Sequence, residues 1–376
     1  MERFGKELLF CLLFFSFACC NNKQNHTYDN NESEVSIPND TVYYAKGFHI
    51  ETHAGYTLVK IRNPLNKSMF RKYILVPRSK TFNKIYNNGI LIRTPLKRVV
   101  CFSSVMCEVF DILGILNTLI GVTDQQYIEL PAINNKIVSG LIYNVGSFNK
   151  PDIEKLFFIK SEGIFIDYFS SANLFGKLNI PVICCLNYIE SHPLGQAEWI
   201  RFIGLFFDKR ATADSLFFQI VSSYNELKKT TATVAFRPTV FTEMKCGHTW
   251  YMPGGNSYVA NMFYDAGANY ILKNDTNVGS IPLSFEVILN EAIKSNYWLI
   301  KYYSLHNITY EQLKRQCANY TLFDAYKRKN IYVCNTILKP YYHALLLHPD
   351  WLLKEMISLF HPELSHGYLF KYYEKL

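Results

Sequence analysis

The sequence predicts two α/β lobes joined by a long helix, preceded by a short antiparallel β segment. Three observations carry that prediction. Two look-alike stretches lie in opposite halves of the chain, NVGSFNKPDIEKLFFIKSEGIFID at residues 144–167 and NVGSIPLSFEVILNEAIKSNYWLI at residues 277–300. Each reads as a glycine turn, a helix opened by an acid and a short buried strand. Around both, strands and helices alternate in the order that gives α/β layering. Between them, ATADSLFFQIVSSYNELKK places Ala213, Leu216, Phe217, Ile220, Val221, Tyr224 and Leu227 at helical spacing. No Gly or Pro interrupts it, so it reads as a rigid strut rather than a hinge.

The first residues set the expected location. MERFGKELLFCLLFFSFACC carries charges up to Glu7 and then an apolar run from Leu8 to Phe15. A spanning helix needs roughly 20 residues, so this run is too short. Charge, a short apolar run and a small residue read as a secretory signal over residues 1–18. Ala18 before Cys19 fits cleavage ahead of a lipid-modified cysteine, although Ser16 is a weaker match than a bulky aliphatic residue. Cys20 is the rival acceptor, and a plain secreted protein with a buried Cys19 is the alternative. Residues 19–40 are rich in Asn, Asp and Ser and too polar to order themselves, which makes them a tether.

The body exceeds one comfortable core and divides into subdomains. Residues 41–96 form the β extension: TVYYAKGFHIETHAGYTLVKIRNP turns at His53-Ala54-Gly55, and RKYILVPRS adds a strand. Residues 97–193 form the first lobe, with strands in KRVVCFS, LIGVTD, IFIDY and IPVICCL and a helix in SVMCEVFDILGIL ending near Gly114. Residues 194–229 are the helical connector. Residues 230–376 form the second lobe. There TATVAFRPTVF is a strand pair or one strand broken at Pro238, YWLIKYY and KNIYVCN are strands, and HPDWLLKEMISLF is a helix opened by Pro349 and Asp350.

Aromatics make up 16% of the chain, enough for a large core and an aromatic-lined cleft. The formal charge of +8 is scattered, with KRK at 327–329 the one dense run, and this argues against a nucleic-acid partner. Of ten cysteines, no pair has zinc-knuckle spacing. Cys101 with Cys107, or Cys246 with a distant partner, are disulfide options, but buried thiols are the simpler reading.

Five pieces together resemble a known family: RVVCFSSVMCEVFDILGILNTLIGVTD, YNVGSFNKPDIEKLFFIKSEGIFID, HPLGQAEWIRFIG, WYMPGGNSYVANMFYDAGANYI and HPDWLLKEMISLFHPEL. The chain is similar over residues 97–364 to the class III (helical-backbone) periplasmic binding proteins, the partners of ABC importers for ferric siderophores, haem and cobalamin. The lipoproteins of Bacteroidetes are the branch it resembles most. The resemblance implies two Rossmann-like lobes on one backbone helix, a shallow cleft and little movement on binding. It implies a monomer, lipid-anchored on the periplasmic side of a bacterial envelope, with no intrinsic cofactor. The cargo would be a metal chelate, a ferric siderophore foremost, with haem or cobalamin as alternatives. One glutamate per lobe, Glu154 and Glu286 by motif position, would dock on the permease dimer. Read from the residues alone, these acids are equally helix-start carboxylates, stabilised by unpaired backbone N–H groups.

Strand-end loops are the usual ligand crevices of α/β sheets. They nominate Ser103, Ser104, Asp124, Phe148, Tyr168, Glu190 and His192 from the first lobe. From the second they nominate Lys245, His248, Trp250, Tyr251, Asn256 and Tyr258. In KCGHTWYMPGGNSY, flat rings suit a porphyrin, corrin or catecholate and the lysine suits an anionic chelate. Trp250 as a core ring is the competing reading, and His248 as an axial metal ligand is the bolder one. No residue is assigned as a metal ligand. The PGG turn lacks a Walker lysine, and no HExxH or GxSxG is present. An Asp124–Glu190 acid pair is the one enzyme-like option, and a surface interaction lipoprotein without a transport role is the remaining alternative. The reading is therefore a binding protein, not an enzyme.

Overall fold

The computed structural model describes residues 40–63, 70–82, 89–167, 175, 179–365 and 367–376. The signal, most of the tether, both candidate lipid acceptors (Cys19 and Cys20) and Tyr168 lie outside the described residues. Among those described, no helix is long and apolar enough to cross a membrane.

The N-terminal extension is a four-stranded sheet in the order β1-β2-β3-β4. Strands β1 (Phe48–His53) and β2 (Tyr56–Arg62) form a hairpin, and Gly55 supplies the φ of +89° that its turn requires. Strand β3 (Phe70–Pro77) continues antiparallel. Strand β4 (Ile90–Thr94) instead joins β3 in parallel, so the sheet is mixed at that edge rather than wholly antiparallel.

The first lobe begins with β5 (Val99–Cys101) and α1 (Ser104–Ile112), which ends before Gly114 at φ +67°. Then come β6 (Leu119–Val122), α2 (Pro131–Val138), β7 (Tyr143–Asn144) and the small hairpin β8 (Gly146–Ser147) and β9 (Lys150–Pro151). Helix α3 (Ile153–Phe158) is capped by Asp152, which accepts the Lys155 N–H at 2.9 Å. Strands β10 (Gly163–Ile166) and β11 (Val182–Cys184) complete a parallel sheet ordered β11-β10-β5-β6-β7. Its central strands are buried on both faces, as their unbroken apolar sequence requires. All seven described cysteines are thiols, and five of them are buried.

The connector comprises α4 (Pro193–Ala197), α5 (Trp199–Leu205) and α6 (Arg210–Thr230). Helix α6 rises about 1.5 Å per residue, or roughly 30 Å in all. It buries Ala213, Phe217, Ile220 and Tyr224, four positions of the stripe read from the sequence. The second lobe holds β12 (Thr239–Thr242), β13 (Lys245–Cys246), β14 (Thr249–Pro253), α7 (Tyr258–Asp265), β15 (Asn269–Tyr270) and β16 (Ser280–Leu283). After these come α8 (Phe285–Ala292), β17 (Tyr297–Tyr302), α9 (Tyr310–Gln316), α10 (Asp324–Lys327) and β18 (Ile331–Asn335). Helices α11 (Tyr341–Leu347) and α12 (Pro349–Phe360) and strand β19 (Glu374–Lys375) finish the chain. The main sheet runs β15-β12-β17-β18-β19, with β19 antiparallel, and β13-β14-β16 form a second small sheet. The segment read as a strand pair or as one strand broken at Pro238 yields the single strand β12, which begins just after Pro238.

Buried carboxylates tie residues 43–47 and the C-terminal segment to this body. Glu198 accepts N–H bonds from Tyr43, Tyr44 and Ala45, and Glu190 accepts from Lys46, Gly47 and the Trp199 indole. Glu198 is neutralised by Arg201 at 2.7 Å, and Arg201 also holds Asp214 of α6 at 2.6 Å. Glu355 of α12 does the same at the other end, accepting the N–H groups of Lys371, Tyr372 and Tyr373. Removing one member of a buried ion pair strands its partner. Arg201→Ala is therefore expected to cost about 3–5 kcal/mol in denaturant unfolding.

Candidate functional site

Ligands of open parallel sheets sit outside the carboxyl ends of the strands, where the strand order reverses. In the first lobe that point lies between β5 and β10, and in the second between β12 and β17. The residues just past these strand ends are Ser103 and Asp167 in one lobe and Glu243 and Tyr303 in the other.

Ser103 precedes the first residue of α1 in extended backbone, and its own helix makes no use of its side chain. The hydroxyl donates to Asp167 instead. Burial pushes the Asp167 carboxyl up to about 6, with the nearby Asp124 charge adding to it and the Ser103 bond opposing it. Asp124 follows β6 in the left-handed region, at φ +49°, and accepts the Phe148 N–H at 2.7 Å. It thereby fixes the β8–β9 turn beside the crevice.

Glu243 also has a left-handed backbone, at φ +66°, which turns the chain sharply out of β12. Its carboxylate pairs with Lys301, near the end of β17, and the Lys301 ammonium lies 5.6 Å from the centre of the Tyr341 ring. Burial raises the Tyr258 phenol, and the Glu243 charge adds to the effect. Asn335, buried at the end of β18, donates to the Ser304 carbonyl at 2.8 Å and so holds the loop that carries Tyr303.

The two crevices face each other. The Tyr127 ring, on the loop after β6, meets the Tyr303 ring edge to face at 6.3 Å, and both rings remain exposed. On the inner side Glu108 of α1 pairs with His343 of α11. Burial raises the Glu129 carboxyl close by, with His343 opposing the shift and Glu108 adding to it.

The structure sorts the residues nominated from sequence. Ser103, Ser104, Asp124 and Phe148 stand on the first-lobe rim, and Tyr258 stands beside Glu243. Three assignments are corrected. Trp250 is fully buried, donates its indole N–H to the Thr242 carbonyl at 3.0 Å and packs among Phe241, Trp298, Tyr320 and Phe323, so it is a core ring. Glu190 is consumed by the N-terminal latch and cannot pair with Asp124. His192 caps α4, accepting the Leu194 N–H at 3.1 Å, and stacks on Tyr44. Lys245 lies close enough to Glu286 to stabilise its charge, His248 is exposed at the tip of the β13–β14 hairpin, and Tyr251 is half-buried opposite Pro282. Asn256 is exposed and donates its backbone N–H to the Asn277 carbonyl. Asp167, Tyr127, Glu243, Lys301 and Tyr303 were not nominated. For Asp167 the signal was present, since it ends the first of the two look-alike stretches.

Glu154 and Glu286 occupy equivalent places. Each is in the first turn of a helix running back from the carboxyl edge of its sheet, and each is exposed. Glu286 is held below the usual carboxylate range by its own backbone N–H, the Ser284 hydroxyl and Lys245. It therefore stays ionised at any physiological pH.

Asp167 gives a signed pH effect. Its folded-state pKa, about 6, lies above the unfolded value, so the folded state holds the extra proton between about pH 4 and 6. Stability from this group is present below that window and is lost as pH rises through it. Asp167→Asn should flatten this slope and raise stability at pH 7 by about 1–2 kcal/mol, discounting for partial exposure, as read by unfolding at pH 4.5 and 7.

A family model described as periplasmic binding protein matches residues 99–338. An uncharacterized lipoprotein of Methanocaldococcus jannaschii is 25% identical over 300 residues, covering 76% of this chain and 70% of the relative. A second lipoprotein of that organism is 24% identical over 367 residues, covering 92% and 89%. Among solved structures, an ABC transporter substrate-binding protein from Listeria monocytogenes aligns at TM-score 0.56 with 19% identity, over 71% of this chain and 99% of that one. Staphylococcus aureus IsdE complexed with heme aligns at 0.55 with 18% identity, over 70% and 98%. The heme-binding protein HutB of Vibrio cholerae aligns at 0.56 with 17% identity, over 70% and 99%. Two facing α/β lobes bridged by α6, together with the family match, show that this chain belongs to the periplasmic binding protein family in its class III architecture, a family of binding proteins rather than catalysts.

Proposed function

We propose that this chain is the substrate-binding lipoprotein of an ABC importer, and that it captures a metal chelate between its lobes and delivers it to the permease. The observation that carries this reading is the pair of opposed switch-point crevices flanked by the equivalent, exposed carboxylates Glu154 and Glu286. The exposed Tyr127 and Tyr303 rings offer flat faces to a catecholate or macrocycle, and Ser103, Asp167 and the Glu243–Lys301 pair offer a few oriented polar groups. A ferric siderophore is the foremost cargo, with haem or cobalamin as the alternatives. The heme- and iron-binding proteins among the structural relatives support the chelate class. The archaeal relatives named as lipoproteins support an anchor at Cys19 or Cys20, on the outer face of the cell membrane, but do not favour the Bacteroidetes branch.

In docking, each glutamate would meet an arginine of the permease dimer in paired, charge-assisted hydrogen bonds that set orientation. ATP is consumed by the transporter, and the cargo leaves chemically unchanged. Glu154→Ala with Glu286→Ala should reduce uptake at least about tenfold while leaving cargo affinity within about twofold, since one paired contact of this type is worth more than 1.4 kcal/mol. Equal loss of cargo binding would remove both residues from the docking role. An absorption spectrum and mass spectrum of protein purified from its native host would identify the cargo.

A further inference from the structure

The strands of the first-lobe sheet begin at the outer end of the lobe, opposite the cleft. Helices α2 and α3 both terminate there, because each leads into the start of a strand, β7 and β10 respectively. Four large apolar side chains stand in water at this end: Val138 (87% exposed), Leu141 (65%), Phe157 (71%) and Phe158 (71%). Cations accompany them. Arg98 donates to the Ile159 carbonyl at 2.7 Å, next to Phe158, and Lys136 reaches the Leu116 carbonyl at 3.3 Å, just before β6. Lys97 and Lys160 are exposed beside them. Against these stand Asp111 at the end of α1 and Glu162, and Glu162 is taken up by Arg78 at 2.6 Å and by the Lys97 N–H.

We propose that this outer end of the first lobe is a membrane-contact surface that rests on anionic lipid headgroups. Two protruding pairs of bulky side chains at neighbouring helix ends, rather than a groove, suit insertion among headgroups, and the surrounding cations complement an anionic bilayer surface. Glu154 lies one turn before Phe157 and Phe158 on the same short helix, so the contact surface borders the carboxylate assigned to docking. It is independent of which cargo the cleft holds.

The test is hydrogen–deuterium exchange on the full chain incorporated into vesicles of phosphatidylcholine alone or of phosphatidylcholine with phosphatidylglycerol. Amides of residues 136–142 and 153–160 should exchange about tenfold more slowly on the anionic vesicles, and about 1 M salt should abolish the difference by screening. Phe157→Ser with Phe158→Ser, and separately Lys97→Glu with Lys160→Glu, should each remove that protection while leaving the melting temperature unchanged. Equal exchange on both vesicle types would overturn the proposal. Protection that arises only when the permease is added would overturn it in favour of a protein partner.

Discussion

Everything the cleft does depends on one helix being fastened at both ends to different lobes. Near its start, α6 is held through Asp214 to Arg201 of α5, whose guanidinium also neutralises the buried Glu198, and just past α5 Phe206 and Phe207 pack on Phe165 of the first lobe. Near its end it is held to the second lobe through Asp265 of α7, which accepts the Tyr224 hydroxyl at 2.9 Å and pairs with Lys228 at 2.8 Å. The Thr231 hydroxyl donates to the Asp265 carbonyl at 2.6 Å. A helix of fixed rise between two polar fastenings sets the separation of the lobes, and hence the distance between the two crevices. The apolar stripe on α6 supplies the stabilisation, and the charged pairs add geometry, because buried ions contribute little net energy but penalise any arrangement that separates them.

A spacing set in this way favours a largely preformed site. The strand-end loops are themselves pinned: Asp124 holds the β8–β9 turn, Asn335 holds the loop bearing Tyr303, and the Glu243–Lys301 pair holds the exit from β12. Pre-ordered groups forgo less entropy on binding than mobile ones, so a few polar contacts and two aromatic faces suffice for recognition. The latches formed by Glu190, Glu198 and Glu355 extend the same logic to residues 43–47 and 371–373, which run outside the two main sheets.

Much of this was legible in the sequence, and the failures have physical causes. The stripe on α6, the buried strands β10, β17 and β18 and the acid-initiated α3 and α8 follow from local periodicity and capping, which act within one or two turns. Glu190 and Trp250 were misjudged because their partners lie elsewhere. The Glu190 carboxylate is satisfied by backbone more than 140 residues away, and the Trp250 ring by Trp298 of β17 and by Tyr320 and Phe323 between α9 and α10. Burial of a polar side chain is decided by such distant partners, and sequence spacing does not encode them. Glu243 was missed for a different reason: its importance comes from a left-handed backbone at a strand exit, a conformation that glutamate seldom announces. Asp167 was within reach, because the residue just past a buried parallel strand in an α/β lobe sits at the crevice.

The central claim is that the cargo lies between the lobes, on the two switch points. A crystal structure of the protein carrying its native cargo tests this most directly. The account predicts cargo atoms within contact distance of Ser103 or Asp167 on one side and of Tyr303 or the Glu243–Lys301 pair on the other. Cargo seated anywhere else on the protein, without contact to both sets of residues, would contradict it.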